Sequence, residues 1–297
     1  MSKRNDWSLH SVPALAAQVV KMHEGVGEHM DFKKTEGMNV DPLIEYHERT
    51  TLCARSGAAG ELIWVGKKFA DMVSDVSGSL PSYTPCQVVP APSGFLFWEK
   101  SPFGAAPGVH RSNDVELVDA LAWSIHEGEL NMQFYTRDPE FGGDLMMLDN
   151  SHWDAYVETV GYRDSIRAHR PDWVGNRGTE ASMDAFDAVV ATWLLMQQRE
   201  VSTRQKVTPF IPRRAKKYLP KSGVNVSNVR LAEGRADTGN RRAGAAANHR
   251  WWVRGHWRQQ ACGPNRSQRR PVFIAPHTSG AKNGPLDDRP KVQRWTP

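Results

Sequence analysis

Arg254, His256 and Arg258 alternate within the run His249-Arg250-Trp251-Trp252-Val253-Arg254-Gly255-His256-Trp257-Arg258-Gln259-Gln260. On an extended strand side chains repeat every two residues, so these three share one face with Gln260, while Val253, Gly255 and Trp257 share the other. Guanidiniums stay charged and offer a rigid fork to phosphate oxygens, so the face is suited to a phosphate backbone. Two kinds of chemistry follow. In the first the face grips nucleic acid, and Trp251, Trp252 or Trp257 stacks on bases where exposed. In the second it cleaves RNA without a metal: His256 takes the proton of a ribose 2′-hydroxyl, and Arg254, Arg258 or Arg266 stabilises the charged phosphorane. No second acid or base stands in the motif, so binding is the main reading and a ribonuclease-type toxin the alternative. The plain reading is a His256 hydrogen-bonded in a turn, with solvated arginines beside it.

Gly263-Pro264-Asn265-Arg266 reads as a turn, after which Arg266, Arg269 and Arg270 extend the positive surface. It is no phosphate-binding P-loop, which ends in Gly-Lys-Ser/Thr and opens a helix. A second basic cluster, Arg213, Arg214, Lys216 and Lys217, lies between Pro212 and Pro220. Cys53, Cys86 and Cys262 never fall in CxxC spacing, and His249, Cys262 and His277 match no zinc pattern, so neither a metal nor a cofactor is expected. The acidic loop with Asp138, Glu140, Asp144 and Asp149 lacks the EF-hand order of oxygens.

Charge divides the chain. Residues 201–297 hold 21 Lys and Arg against Glu233, Asp237, Asp287 and Asp288, a net of +17. The totals of 38 basic and 33 acidic residues leave 17 and 29 for residues 1–200, a net of −12. A field of that strength attracts polyanions without fixing sequence preference. RNA or DNA is therefore the expected partner. An acidic protein partner, with the chain acting as an adaptor, is a further alternative, and mutual neutralisation of the two halves is another.

The stretch Arg254–Pro276, with its Arg-Gly-His-Trp-Arg-x-Gln run, Gly-Pro turn, spaced arginines and apolar strand, resembles a C-terminal signature of uncharacterised proteins from actinobacteria, their phages and mobile elements. The Pro92-Ser93-Gly94-Phe95-Leu96 strand and the helix at Ala185–Gln198 fit the same pattern. The resemblance implies a phage, mobile-element, toxin–antitoxin or antiviral-defence setting and carries no activity with it.

These residues need elements to position them. Ser11, Pro13 and the Leu15/Val19/Met22 spacing predict a first helix, and Asp41–Ala54 a second. Glu61–Val65 and Gly94–Trp98 are apolar runs, and Leu117–Trp123 with Leu130–Tyr135 frames a hairpin. A long amphipathic helix starts near Thr179, its stripe of Phe186, Val189, Val190, Trp193 and Leu194 expected in a core or interface. Strands are expected at Val224–Leu231, Trp251–Val253, Val272–Ile274 and Val292–Trp295, with a loop over Glu233–Asn248. The fold class expected is α+β. An acidic α+β domain spans 1–175, its antiparallel sheet covered on one face by helices; a connecting amphipathic helix spans 176–204; a small basic antiparallel β module spans 205–297. No membrane span or signal peptide is legible, so a cytoplasmic location is expected.

Overall fold

The computed structural model describes residues 7–29, 41–80, 88–102, 118–126, 129–138, 144–147, 153–156, 179–232, 249–253, 255–275, 277–281 and 284–287. Strands β1 (Glu61–Val65) and β2 (Ser93–Trp98) are buried on both faces. Leu62 and Trp64 enter one core with Phe95 and Phe97, while Ile63 and Val65 enter the other with Leu96 and Trp98. Continuous apolar runs of this kind suit the interior of a sheet covered on both sides.

β1 runs parallel to β2 and to β8 (Val226–Leu231). The parallel step from β1 to β2 needs a crossover, and helix α3 (Lys67–Ser77) provides it. Beyond β2 the neighbours are antiparallel: β3 (Ala120–His126), then β4 (Glu129–Asp138). The last β3–β4 pair is His126 with Glu129, which places the hairpin where the flanking apolar runs put it. β5 (Asp144–Met147) and β6 (Trp153–Tyr156) both pair with β4, and β7 (Ser202–Val207) pairs with β8, giving the order β5-β4-β3-β2-β1-β8-β7 with β6 also on β4. The sheet is mixed, where an antiparallel one was expected.

Helices cover both of its faces, where one covered face was expected. On one side α1 (Val12–His29) and α2 (Asp41–Ala59) pack Val12, Val19, Cys53 and Ala54 against Phe95, Phe97, Ala120 and Ala122. His23 Nε2 and the Tyr135 hydroxyl meet there in a buried 3.0 Å hydrogen bond. On the other side lie α3 and α4 (Thr179–Met196). Residues 187–196 of α4 are buried all round rather than along one stripe. Trp193 meets Trp123 of β3 edge-on at 5.5 Å. Gly94 makes room for that indole, since a Cβ there would stand 2.4 Å from Trp123 Cη2.

Small strands complete the C-terminal part. β9 (Arg250–Val253) pairs antiparallel with β12 (His277–Gly280) and parallel with β13 (Leu286–Asp287). β10 (His256–Cys262) and β11 (Gln268–Ile274) form a separate antiparallel hairpin. All of β8 and half of β7 fall within residues 205–297, yet both belong to the large sheet. The chain is thus a mixed α and β fold with small sheets appended. The expected strand at Val292–Trp295 and loop at Glu233–Asn248 lie outside the described residues. Among the described residues no helix is long and apolar enough to cross a membrane.

Candidate nucleic-acid interface

The hairpin of β10 and β11 carries the alternating motif, and its register pairs His256 with Ile274, Trp257 with Phe273, Arg258 with Val272 and Gln260 with Arg270. Paired residues share a face, so Trp257 and Phe273 lie under the hairpin while His256, Arg258 and Gln260 lie over it. The hairpin is fastened through Trp257 and Phe273 underneath and through Arg270, the outer-face partner of Gln260. Trp257 Nε1 donates to the Val76 carbonyl at the end of α3 across 3.1 Å, and its ring meets Phe273 edge-on at 5.3 Å. Phe273 is buried among α3 and α4 side chains. At the C-terminal end of α4, Gln198 Oε1 accepts the backbone N–H of Phe273 at 3.1 Å, and Gln197 Oε1 accepts Arg270 Nη2 at 2.8 Å. Gln197 is itself held, because its amide nitrogen donates to the carbonyls of Val88 and Trp193. Gln198 thereby satisfies a donor on the edge of β11 that β10 leaves open.

With that underside fixed, His256, Arg258 and Gln260 are all exposed, spaced at about 7 Å along the strand. Arg258 Nη2 donates to Gln260 Oε1 at 2.5 Å, which orients the guanidinium along the row. At the hairpin end, Asn265 (φ 51°) and Arg266 (φ 57°) both adopt left-handed backbone, and Gly263 at φ 73° supplies the conformation that other residues resist. Arg266 is exposed on this turn. The row can receive phosphate oxygens from solvent, and the imidazole stands beside them.

The other expected site residues are distributed unevenly. Arg254 and the side chains of Arg269 and Trp252 lie outside the described residues. Arg270 is partly engaged by Gln197 rather than presented freely. Trp257 is half-buried and committed to Val76 and Phe273. Trp251 belongs to the β12–β9–β13 sheet, half-buried beside His249 at 5.7 Å and packed over Gly280. Neither indole offers an open stacking platform.

Arg213, Arg214, Lys216 and Lys217 are exposed, but around a short 3-10 turn (Lys216–Tyr218) whose flanking Ala215 and Leu219 are buried against the α1–α2 core. The hairpin packs on the α3–α4 side. The two basic groups therefore flank opposite faces of the large sheet and form no single strip. Gln197 and Gln198, which orient the hairpin, and Phe210, which is 82 % exposed, are not among the expected site residues. A glutamine pair closing an apolar helix was the available clue to the first, and an aromatic between Pro209 and Pro212 to the second.

The chain matches no family model, and no curated protein matches it in sequence. A solved structure titled "Crystal structure of AcrVA2" superposes with a TM-score of 0.39 at 12 % identity, covering 94 % of this chain and 86 % of that one. A likeness of that strength carries no argument about activity.

Proposed function

We propose that the protein binds the phosphate backbone of RNA or DNA through the outer face of the β10–β11 hairpin. The carrying observation is the fastening of Trp257 and Phe273 underneath, which turns His256, Arg258 and Gln260 outward as one row with Arg266 at its end. The row stands in the stretch of chain whose net charge is +17. The resemblance carried by Arg254–Pro276 supports a phage, mobile-element or defence setting for this activity.

About three phosphate contacts on a single strand give a salt slope near −2, so raising salt from about 50 to about 200 mM weakens binding about 20-fold. The test is fluorescence anisotropy of full-length protein with labelled oligouridine and with a DNA duplex. Arg258→Ala is expected to weaken binding and flatten the slope by about 1. Absence of binding to either probe at low salt, or an unchanged slope in Arg258→Ala, would overturn the assignment.

A further inference from the structure

We propose that the outer edge of β7 is a docking site for an extended, acidic segment of a protein partner, which adds to the large sheet as a further strand. This does not rest on the nucleic-acid reading of the hairpin.

β7 ends the sheet order, with β8 as its single neighbour among the described residues. Ala232 N–H donates to the Val201 carbonyl, which makes that pair a hydrogen-bonded one in the antiparallel ladder. Alternation then sends the backbone groups of residues 203, 205 and 207 toward β8, and those of Arg204 and Lys206 away from it. The N–H of Ser202, also directed outward, is taken by the Gln198 carbonyl. Among the described residues nothing pairs with the outward N–H and C=O of Arg204 and Lys206.

Of the devices that usually blunt an open edge, β7 carries cationic side chains, Arg204 and Lys206, without a proline or a bulge. The six β7–β8 pairs run without a bulge, the strand contains no proline, and Thr203 to Lys206 are exposed in succession. Phe210, three residues beyond the strand, is the most exposed large apolar side chain among the described residues. A strand lying along β7 and continuing past its end would cover that ring.

Charge selects the occupant. The cations on β7 are Arg204 and Lys206, and residues 201–221 contain no acid. Arg204 is answered within the fold, since its guanidinium reaches the Glu61 carboxylate and the Ser227 hydroxyl. Among the described residues Lys206 has no such partner. A second copy pairing β7 with β7 would set these cations against their own kind, which is unfavourable for directly opposed strand residues. A nucleic acid answers the charge but not the alternating donors and acceptors of a strand edge. An acidic peptide strand answers both.

The test uses full-length protein and a fluorescein-labelled peptide of four Glu-Val repeats, read by anisotropy. A second peptide, N-methylated at every amide, keeps the charge and loses the ability to donate from either edge. The plain peptide is expected to bind at least about tenfold more tightly than the methylated one. Lys206→Pro removes an outward N–H at a position where an edge strand tolerates proline, and is expected to abolish the difference with unchanged thermal melting. Equal affinity for the two peptides would overturn the proposal and leave charge alone as the attraction; because it is read on the wild-type protein, it stands even where Lys206→Pro fails to fold. Two further results would also overturn it. Oligouridine bound in a Lys206→Pro-sensitive manner, with no peptide bound, would assign the edge to nucleic acid. A dimer seen in sedimentation and dissolved by Lys206→Pro would assign it to a second copy.

Discussion

The indole N–H of Trp257 donates to the carbonyl oxygen of Val76 across 3.1 Å, tying β10 to the last turn of α3 over a separation of 181 residues. The same carbonyl also accepts the Ser79 backbone N–H and hydroxyl just past the helix, and the added indole bond fixes which face of the hairpin looks outward. Trp257→Phe keeps an aromatic ring against Phe273 and loses the donor. It is expected to cost about 1 kcal/mol, the usual net worth of a protein hydrogen bond. Trp257→Ala also loses the ring, and because Trp257 is only half-buried the expected cost is about 2–3 kcal/mol, below that of a fully buried tryptophan. Urea unfolding of the three proteins measures both values, and hydrogen exchange in β10 is expected to rise in the order wild type, Phe, Ala.

The basic residues that the sequence groups together separate in space, and this has a measurable consequence. Arg213→Ala with Arg214→Ala removes two charges on the α1–α2 side, whereas Arg258→Ala removes one from the hairpin face on the α3–α4 side. For a six-nucleotide strand, the double substitution is expected to change affinity by less than about twofold, and Arg258→Ala by about fivefold or more. Equal losses would mean that the strand wraps both sides of the sheet.

Legibility in the sequence followed burial. α1, the β3–β4 hairpin and β8 carried the expected periodicities because each has buried positions in a regular pattern. β7 carried none: four of its six residues face solvent, so Ser202-Thr203-Arg204-Gln205-Lys206-Val207 shows no apolar alternation. α3 was readable in principle, with Phe69, Val73 and Val76 at helical spacing, though its lysines and aspartates obscured the pattern. The outward row of the site was legible from the alternation His256, Trp257, Arg258. Its supports were not, since Gln197 and Gln198 act on residues more than 70 positions away through groups that any glutamine possesses. The parallel placement of β8 beside β1 was equally hidden, because alternation along one strand says nothing of its neighbour.

That placement bears on where the chain can be cut. β8 lies between β1 and β7, and its Val226 and Val229 enter the cores on opposite faces of the sheet. A fragment of residues 205–297 lacks β1, α3 and α4, so it loses both the neighbour of β8 and the bed under Phe273. It is expected to show no cooperative thermal transition and weak amide dispersion by NMR. A sharp transition in the isolated fragment would show that the basic part folds without the rest.

The final expectation concerns the division of labour along β10. His256 and Arg258 stand two residues apart on the same exposed face, but only the guanidinium carries a fixed charge and a two-pronged donor set for phosphate. If the row binds backbone, His256→Ala is expected to weaken affinity by less than about threefold, and Arg258→Ala to weaken it more and to reduce its salt dependence. A ribonuclease would behave otherwise. Loss of its general base lowers cleavage by about 10²–10⁴ while binding persists. Labelled single-stranded RNA incubated with wild-type protein in EDTA is expected to remain intact over hours, and equally so with His256→Ala. Cleavage by the wild type that disappears in His256→Ala would move the histidine from the binding row to a catalytic role. Cleavage that both proteins share would place the reacting group elsewhere. The same gel run with Arg258→Ala separates loss of turnover from loss of affinity, since a variant that only binds poorly recovers full cleavage when protein is raised to saturation.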